Sequence, residues 1–176
     1  MHNGPVYVDE LLTERRLRDR FMAEHYASPL PEDHLDDFTG LDWFEPDPAW
    51  RLSGVWVAVP VAKQSVPTSS GGVSAYTLLG SVVVEVDGST HRLSAFDDGD
   101  GSPFVPFRDE TCGTESYPGG RYVPVRRDAD EAIVDFNRAH NPFCAYDPEF
   151  VCPLPPPENW LACAVPAGER DYRLRR

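Results

Sequence analysis

Residues 135–159, DFNRAHNPFCAYDPEFVCPLPPPEN, most narrow what this chain can become. Prolines at 142, 148, 153 and 155–157 remove backbone donors and lock φ, so neither a regular helix nor a central strand can run through the segment. Its aromatic and cysteine content is too high for a disordered tract. An ordered loop over residues 137–159 is therefore expected, and it is the expected functional site.

The rest of the chain reads as β structure behind one helix. Residues 8–27 carry Leu11, Leu12, Leu17, Phe21, Met22 and Tyr26 at helical spacing, with Asp9 and Glu10 near the N-terminal end and Pro29 as the stop. Residues 31–48 are acidic and turn-rich, and Phe38, Leu41, Trp43 and Phe44 are expected to pin them as an irregular segment. A β core over 50–136 follows. Strands are expected at 50–59, ended by Pro60, and at 75–86, where Gly80 is expected to kink or bulge the chain. Residues 63–73 read as a flexible connection between them, and Asp87-Gly88 as a two-residue hairpin turn into 89–96. Shorter strands fit 104–108, 121–125, 132–136 and a final one at 160–165. With no βαβ alternation, the expected fold is mainly β: an antiparallel β-barrel or β-sandwich of about seven or eight strands, with one N-terminal α-helix and long ordered C-terminal loops. The 176 residues fit a single domain, long enough to bury a core without disulfides.

The formal charge of −13 repels nucleic acid and anionic membranes, so neither is an expected partner. No window carries the roughly 18 apolar residues of a membrane span, and the first residues have no signal-peptide pattern. A cytoplasmic location is expected, with Cys112, Cys144, Cys152 and Cys163 mostly reduced. Asp97-Asp98-Gly99-Asp100-Gly101-Ser102 has the look of a calcium loop, but Arg108 stands where the bidentate glutamate belongs, so a solvated acidic turn is expected.

Reactive side chains gather in 106–122 and in the proline-rich stretch. Arg121 offers a planar fork for a carboxylate or phosphate, and Tyr117 and Tyr122 add hydroxyl donors; the competing reading pairs Arg121 with Asp109 or Asp135 inside the fold. Asp109, Glu115, Asp135 and Glu158 are candidate acid and base groups if the fold brings two of them within about 5 to 9 Å. Cys144 and Cys152 enclose seven residues, too many for a zinc knuckle, which leaves weak metal candidates, a disulfide, or two buried thiols. The run from Phe107 through Gly120-Arg121-Tyr122, with Asp135-Phe136-Asn137, Asn141-Pro142, Cys144-Ala145-Tyr146, Cys152-Pro153, Glu158-Asn159 and Ala167-Gly168-Glu169, resembles the bacterial and archaeal domain of unknown function 1684. His140 and Trp160 depart from that family's usual tyrosine and basic residue. The resemblance implies a shared domain and supplies no activity. The expected function is binding of a small polar or anionic molecule by Thr111, Tyr117, Arg121, Tyr122, Asn137 and Asn141. A hydrolase using the paired carboxylates, or a structural brace without a pocket, are the alternatives. The cofactor is unknown.

The acidic charge also repels itself. Of the 16 basic residues only Lys63 is a lysine, and concentrated salt screens the repulsion. The midpoint of thermal unfolding is expected to rise between low-salt buffer and molar KCl; an unmoved midpoint in scanning calorimetry would contradict this.

Overall fold

A computed structural model describes residues 4–175; the first three residues of the N-terminal stretch lie outside them. Helix α1 (Gly4–Glu24) is followed by the short helix α2 (Glu32–Leu35) and six antiparallel strands. These are β1 (Arg51–Pro67), β2 (Val73–Val86), β3 (Ser89–Asp97), β4 (Pro103–Phe107), β5 (Arg121–Asp128) and β6 (Glu131–Asp135). Each strand pairs with the next, and β1 also pairs with β6 from Arg51↔Asp135 to Val55↔Glu131, which closes a barrel and leaves no long free edge. The sandwich alternative is thereby excluded. Six strands form instead of seven or eight, because residues 160–165 make no strand. They cross the open end of the barrel, joined to the chain just after β4 by the Arg108↔Trp160 bridge and to Arg121 of β5 through the Val165 carbonyl, and send Leu161 and Val165 into the core.

Alternation decides what fills the barrel. Val82, Val84 and Val86 of β2, Leu93 and Ala95 of β3, Val105 and Phe107 of β4, Val123 and Val125 of β5, and Ala132 and Val134 of β6 all point inward and are buried. On β1 the inward residue is Trp56, while Val55 stands in solvent.

Pro60 does not end β1. The pairing with β2 skips between Ala58 and Ala62, and the proline, which has no N–H to offer, sits within that bulge. Beyond it the strand resumes, so most of the expected flexible connection is paired, Lys63↔Thr77 through Pro67↔Val73. The turn itself shrinks to residues 68–72, closed by Thr68 N–H to the Gly72 carbonyl at 3.0 Å. The Asp87-Gly88 turn forms as expected, with positive φ at both residues (48° and 73°) joining Val86 to Ser89. A second tight turn, at Ala129, lacked glycine and gave no signal in the sequence, although its φ is 52°.

Helix α1 ends earlier than Pro29 suggests, and its inward stripe is Tyr7, Leu11, Arg15 and Met22. Leu17 and Tyr26, expected in the apolar stripe, are exposed. The irregular segment behaves as read: Leu41 and Phe44 are buried and Phe38 and Trp43 pack beside them.

Gly80 marks the bulge in β2, where the register shifts between Leu78 and Gly80. A Cβ there would overlap the indole ring of Trp56, so the strand accepts only glycine opposite that ring. Gly80→Ala is expected to cost about 1–3 kcal/mol by overpacking. Urea unfolding checks this, and Gly80→Ala combined with Trp56→Leu should cost less than the two single changes added together.

Candidate functional site

The polar residues singled out in the sequence fall into two groups, one holding the fold together and one lining a cleft. Arg121 opens β5 at the first inward position, two residues before Val123, and is fully buried. Its fork reaches Asp109 Oδ1 at 3.1 Å, Thr111 Oγ1 at 3.4 Å and the carbonyls of Val165 (3.0 Å), Glu169 (3.3 Å) and Ala167. The guanidinium also stacks over the rings of Phe107 and Phe44 at 5.1 and 5.7 Å. Burial pulls its pKa down and the Asp109 charge opposes that shift. Asp109 in turn accepts from the Thr111 hydroxyl (2.8 Å) and the Val165 N–H (2.7 Å), and Thr111 meets Ser116 at 2.8 Å. The two terminal nitrogens of Arg121 and the Thr111 hydroxyl are thus spent on the barrel's end, while Arg121 Nε is buried without a hydrogen bond.

Two buried asparagines do the same with their amides. Asn137 accepts from the Asp47 N–H and donates to the Asp47 carbonyl, at 2.9 and 2.7 Å, as a paired strand would. Asn159 accepts from Ser94 N–H at 2.7 Å and donates to the carbonyls of Ser94 and Pro106, locking β3 and β4 to the loop. Asp135 receives the Tyr7 hydroxyl at 2.8 and 2.9 Å and pairs with Arg138, tying α1 to the barrel. Glu115 pairs with Arg170 at 3.2 Å, and Glu158 accepts from Ser94 Oγ at 3.0 Å. Among the described contacts, no two of the four candidate carboxylates share a partner. In the acidic turn Asp97 accepts from the N–H groups of Gly99 and Gly101, both at 2.8 Å, which is what a turn carboxylate does. Among the described residues there is no group of three or more His, Cys, Asp or Glu side chains placed to hold a metal.

The second group surrounds a cleft of about 490 Å³ between α1, the acidic turn and the proline-rich loop. Phe21, Pro142, Phe143, Phe150, Val151 and Pro153 give it apolar walls, and Arg18, Asp98, Tyr122, His140, Asn141 and Cys152 supply polar groups. The 3-10 turn Phe143–Ala145 carries the loop around, and Phe143 meets Phe150 edge to face at 5.3 Å. Tyr122 points outward from β5, next to inward Arg121, and its hydroxyl bonds the Pro153 carbonyl at 2.7 Å. Its backbone exchanges two hydrogen bonds of 2.9 Å with His140.

Behind the cleft lies a buried ionic cluster. Glu169 accepts from Asn141 N–H (3.1 Å), Asn141 Nδ2 (3.0 Å) and the Tyr146 hydroxyl, and Arg18 Nε stands 3.4 Å from its carboxylate. Burial raises the Glu169 pKa and the Arg18 charge opposes it. Burial and the same arginine push His140 down to about 3, so its imidazole is neutral at physiological pH. Two polar atoms of cleft-lining side chains, Arg18 Nε and Asn141 Oδ1, are buried without a hydrogen bond.

Of the expected ligand-binding residues, Tyr122 and Asn141 line this cleft, and Tyr117 lines a separate hollow with Arg108, Pro155 and Trp160. The sequence reading missed Arg18, which it took for the charged face of α1, and set His140 aside as a departure. The signal was present in the helix: Arg15 and Arg18 stand four and seven residues after Leu11, on the side of the helix that carries Leu11 and Met22.

These features define a closed six-stranded barrel with a helix and loops braced across it and a cleft at one side. The chain belongs to the family described as "Protein of unknown function (DUF1684)", whose profile matches residues 36–170. It is similar to the uncharacterized protein from gene locus rrnAC0354 of Haloarcula marismortui, solved by solution NMR, with 40% identity and a TM-score of 0.74. That match covers 94% of this chain and 95% of the other. A search of curated proteins found no match.

Truncating Arg121 leaves Asp109 charged and buried without its counter-ion. Arg121→Ala is expected to lose about 3–5 kcal/mol of stability. Arg121→Lys should recover only part of it, because an ammonium cannot span the same acceptors. Urea titration of both variants decides; a loss under about 1 kcal/mol for Arg121→Ala would remove the bracing role.

Proposed function

We propose that the protein binds a small molecule in the cleft between α1 and the proline-rich loop, with an apolar or aromatic body and one polar group that accepts from Arg18 and donates to Asn141, as a carboxamide does. The observation that carries this reading is Asn141 Oδ1, a buried acceptor left without a donor, on a side chain that lines a cavity otherwise walled largely by rings and prolines; Arg18, whose Nε faces Glu169 at 3.4 Å, lines the same cavity. Buried polar atoms without partners are uncommon in native folds and call for an explanation such as a bound group. The volume of about 490 Å³ is in the range of ligand sites, and a few polar groups among apolar walls is the usual composition of one. Tyr122 and Asn141, expected as ligand contacts from the sequence, belong to this reading; Thr111, Arg121 and Asn137 act instead as its supports. Phe143 and Phe150 would stack on the body of the ligand, and Arg18, held by Glu169, would face its acceptor group.

The charge of −13 and the single lysine fit a protein that works in concentrated salt, and the similar chain comes from a halophile. In that solvent an apolar cleft gains relative to long-range charge, which salt screens. This reading leaves a cytoplasmic small-molecule binder that avoids nucleic acid and anionic membranes. No described helix is long and apolar enough to cross a membrane.

Benzoate and its neutral analogue benzamide make a direct test by amide NMR titration. Shifts should gather at Tyr122, His140, Asn141 and residues 143–152 for both compounds, with benzamide, which can also donate to Asn141 Oδ1, binding more tightly. Phe150→Ala, which removes a half-exposed ring, should weaken both about five- to tenfold. Shifts scattered over the barrel, or equal binding by Phe150→Ala, would refute the cleft as the site.

A further inference from the structure

The paired thiols of the proline-rich loop have no part in the binding proposed above. Cys144 and Cys152 are both free and both nearly buried, and the backbone N–H of Cys144 lies 3.4 Å from Cys152 Sγ. The Tyr117 hydroxyl donates toward Cys144 Sγ at 3.6 Å, and Ser69 Oγ accepts the Cys152 N–H at 3.0 Å, so the turn of the β1–β2 hairpin holds the pair from the far side. Cys152 is part of the cleft wall. Cys152 thus lines a cavity, and Cys144 lies against it with its backbone N–H on the Cys152 sulfur.

We infer that Cys144 and Cys152 form a redox-active dithiol that exchanges with small-molecule disulfides entering through the cleft. The step balances without any further reagent. The Cys144 thiolate takes the Cys152 proton as the Cys152 sulfur attacks one sulfur of the incoming disulfide; a new S–S bond forms, the old one breaks, and one thiolate leaves. Cys144 then attacks the Cys152 sulfur of the mixed disulfide, its proton passing to the second departing thiolate. The protein loses two S–H groups and gains one S–S bond, while the small disulfide is reduced to two thiols. Side by side, the two thiols titrate as a pair: Cys144 is lowered to about 6 and Cys152 is raised, so the first proton lost leaves the thiolate on Cys144, next to the Cys152 sulfur. Cys163, by contrast, is raised by burial and by nearby carboxylates, which discourages its thiolate.

The inference does not depend on what else the cleft binds. Native protein incubated with oxidised glutathione at neutral pH, then mapped by mass spectrometry, should show a Cys144–Cys152 bond and no lasting adduct on either residue. Cys144→Ser should instead accumulate one glutathione adduct at Cys152, since the resolving thiol is gone. The pair should be consumed at least about tenfold faster than Cys163. Adducts confined to Cys112 or Cys163, or a Cys144–Cys152 bond that forms only after denaturant is added, would overturn the assignment; the mapping on native protein stands even if the variant does not fold.

Discussion

The buried pair of Arg121 and Asp109 is the interaction on which the upper end of this barrel depends. Placing a guanidinium in a core of Val123, Val125 and Phe107 costs several kcal/mol in desolvation, and one carboxylate at 3.1 Å does not by itself offset that. The surplus comes from the three carbonyls of residues 165–169 and from the two rings stacked on the guanidinium. Those carbonyls belong to a segment with no regular structure, whose backbone would otherwise need water. The arginine replaces a strand there, which is why residues 160–165 can plug the barrel without joining the sheet.

The same economy recurs around the rim. Asn137 and Asn159 each present an amide as if it were a peptide group, one to Asp47 and one to Ser94, so irregular loops are joined to strands with their hydrogen bonds complete. Tyr7 with Asp135 fastens α1 to the end of β6. Positioned by these attachments, α1 brings Arg18 and Phe21 to one side of the cleft while the proline-rich loop brings Phe143, Phe150 and Cys152 to the other. The cleft is thus a consequence of bracing, formed where two anchored segments meet without filling the space between them.

Much of this was legible in the residues. Alternating valines marked β2, Asp87-Gly88 marked its turn, and Gly80 marked a bulge, because those signals are local and backbone geometry alone dictates them. Polar side chains were harder to read. Arg121 in the run Arg-Tyr-Val-Pro-Val occupies an inward position by period two, yet an arginine suggests a surface or a ligand until its carbonyl partners, more than 40 residues away, are in place. Pro60 signals an end only if the strand has no bulge to absorb it. Leu17 and Tyr26 suit a helix stripe, but the barrel meets the face of Tyr7, Leu11 and Arg15 instead.

The sequence alone determined a mainly β chain with one leading helix, an ordered proline-rich loop and a strongly acidic charge, because composition, period and turn chemistry act over a few residues at a time; the resemblance of its motifs pointed to the family. Tertiary structure alone decided that the sheet closes into a barrel of six strands, that Arg121, Thr111 and Asn137 are spent on holding it, and that Arg18, Tyr122, His140, Asn141 and Cys152 share a cleft. Those outcomes rest on contacts between residues distant in the chain, where the cost of burying a charge or an amide is met only by partners that folding brings together.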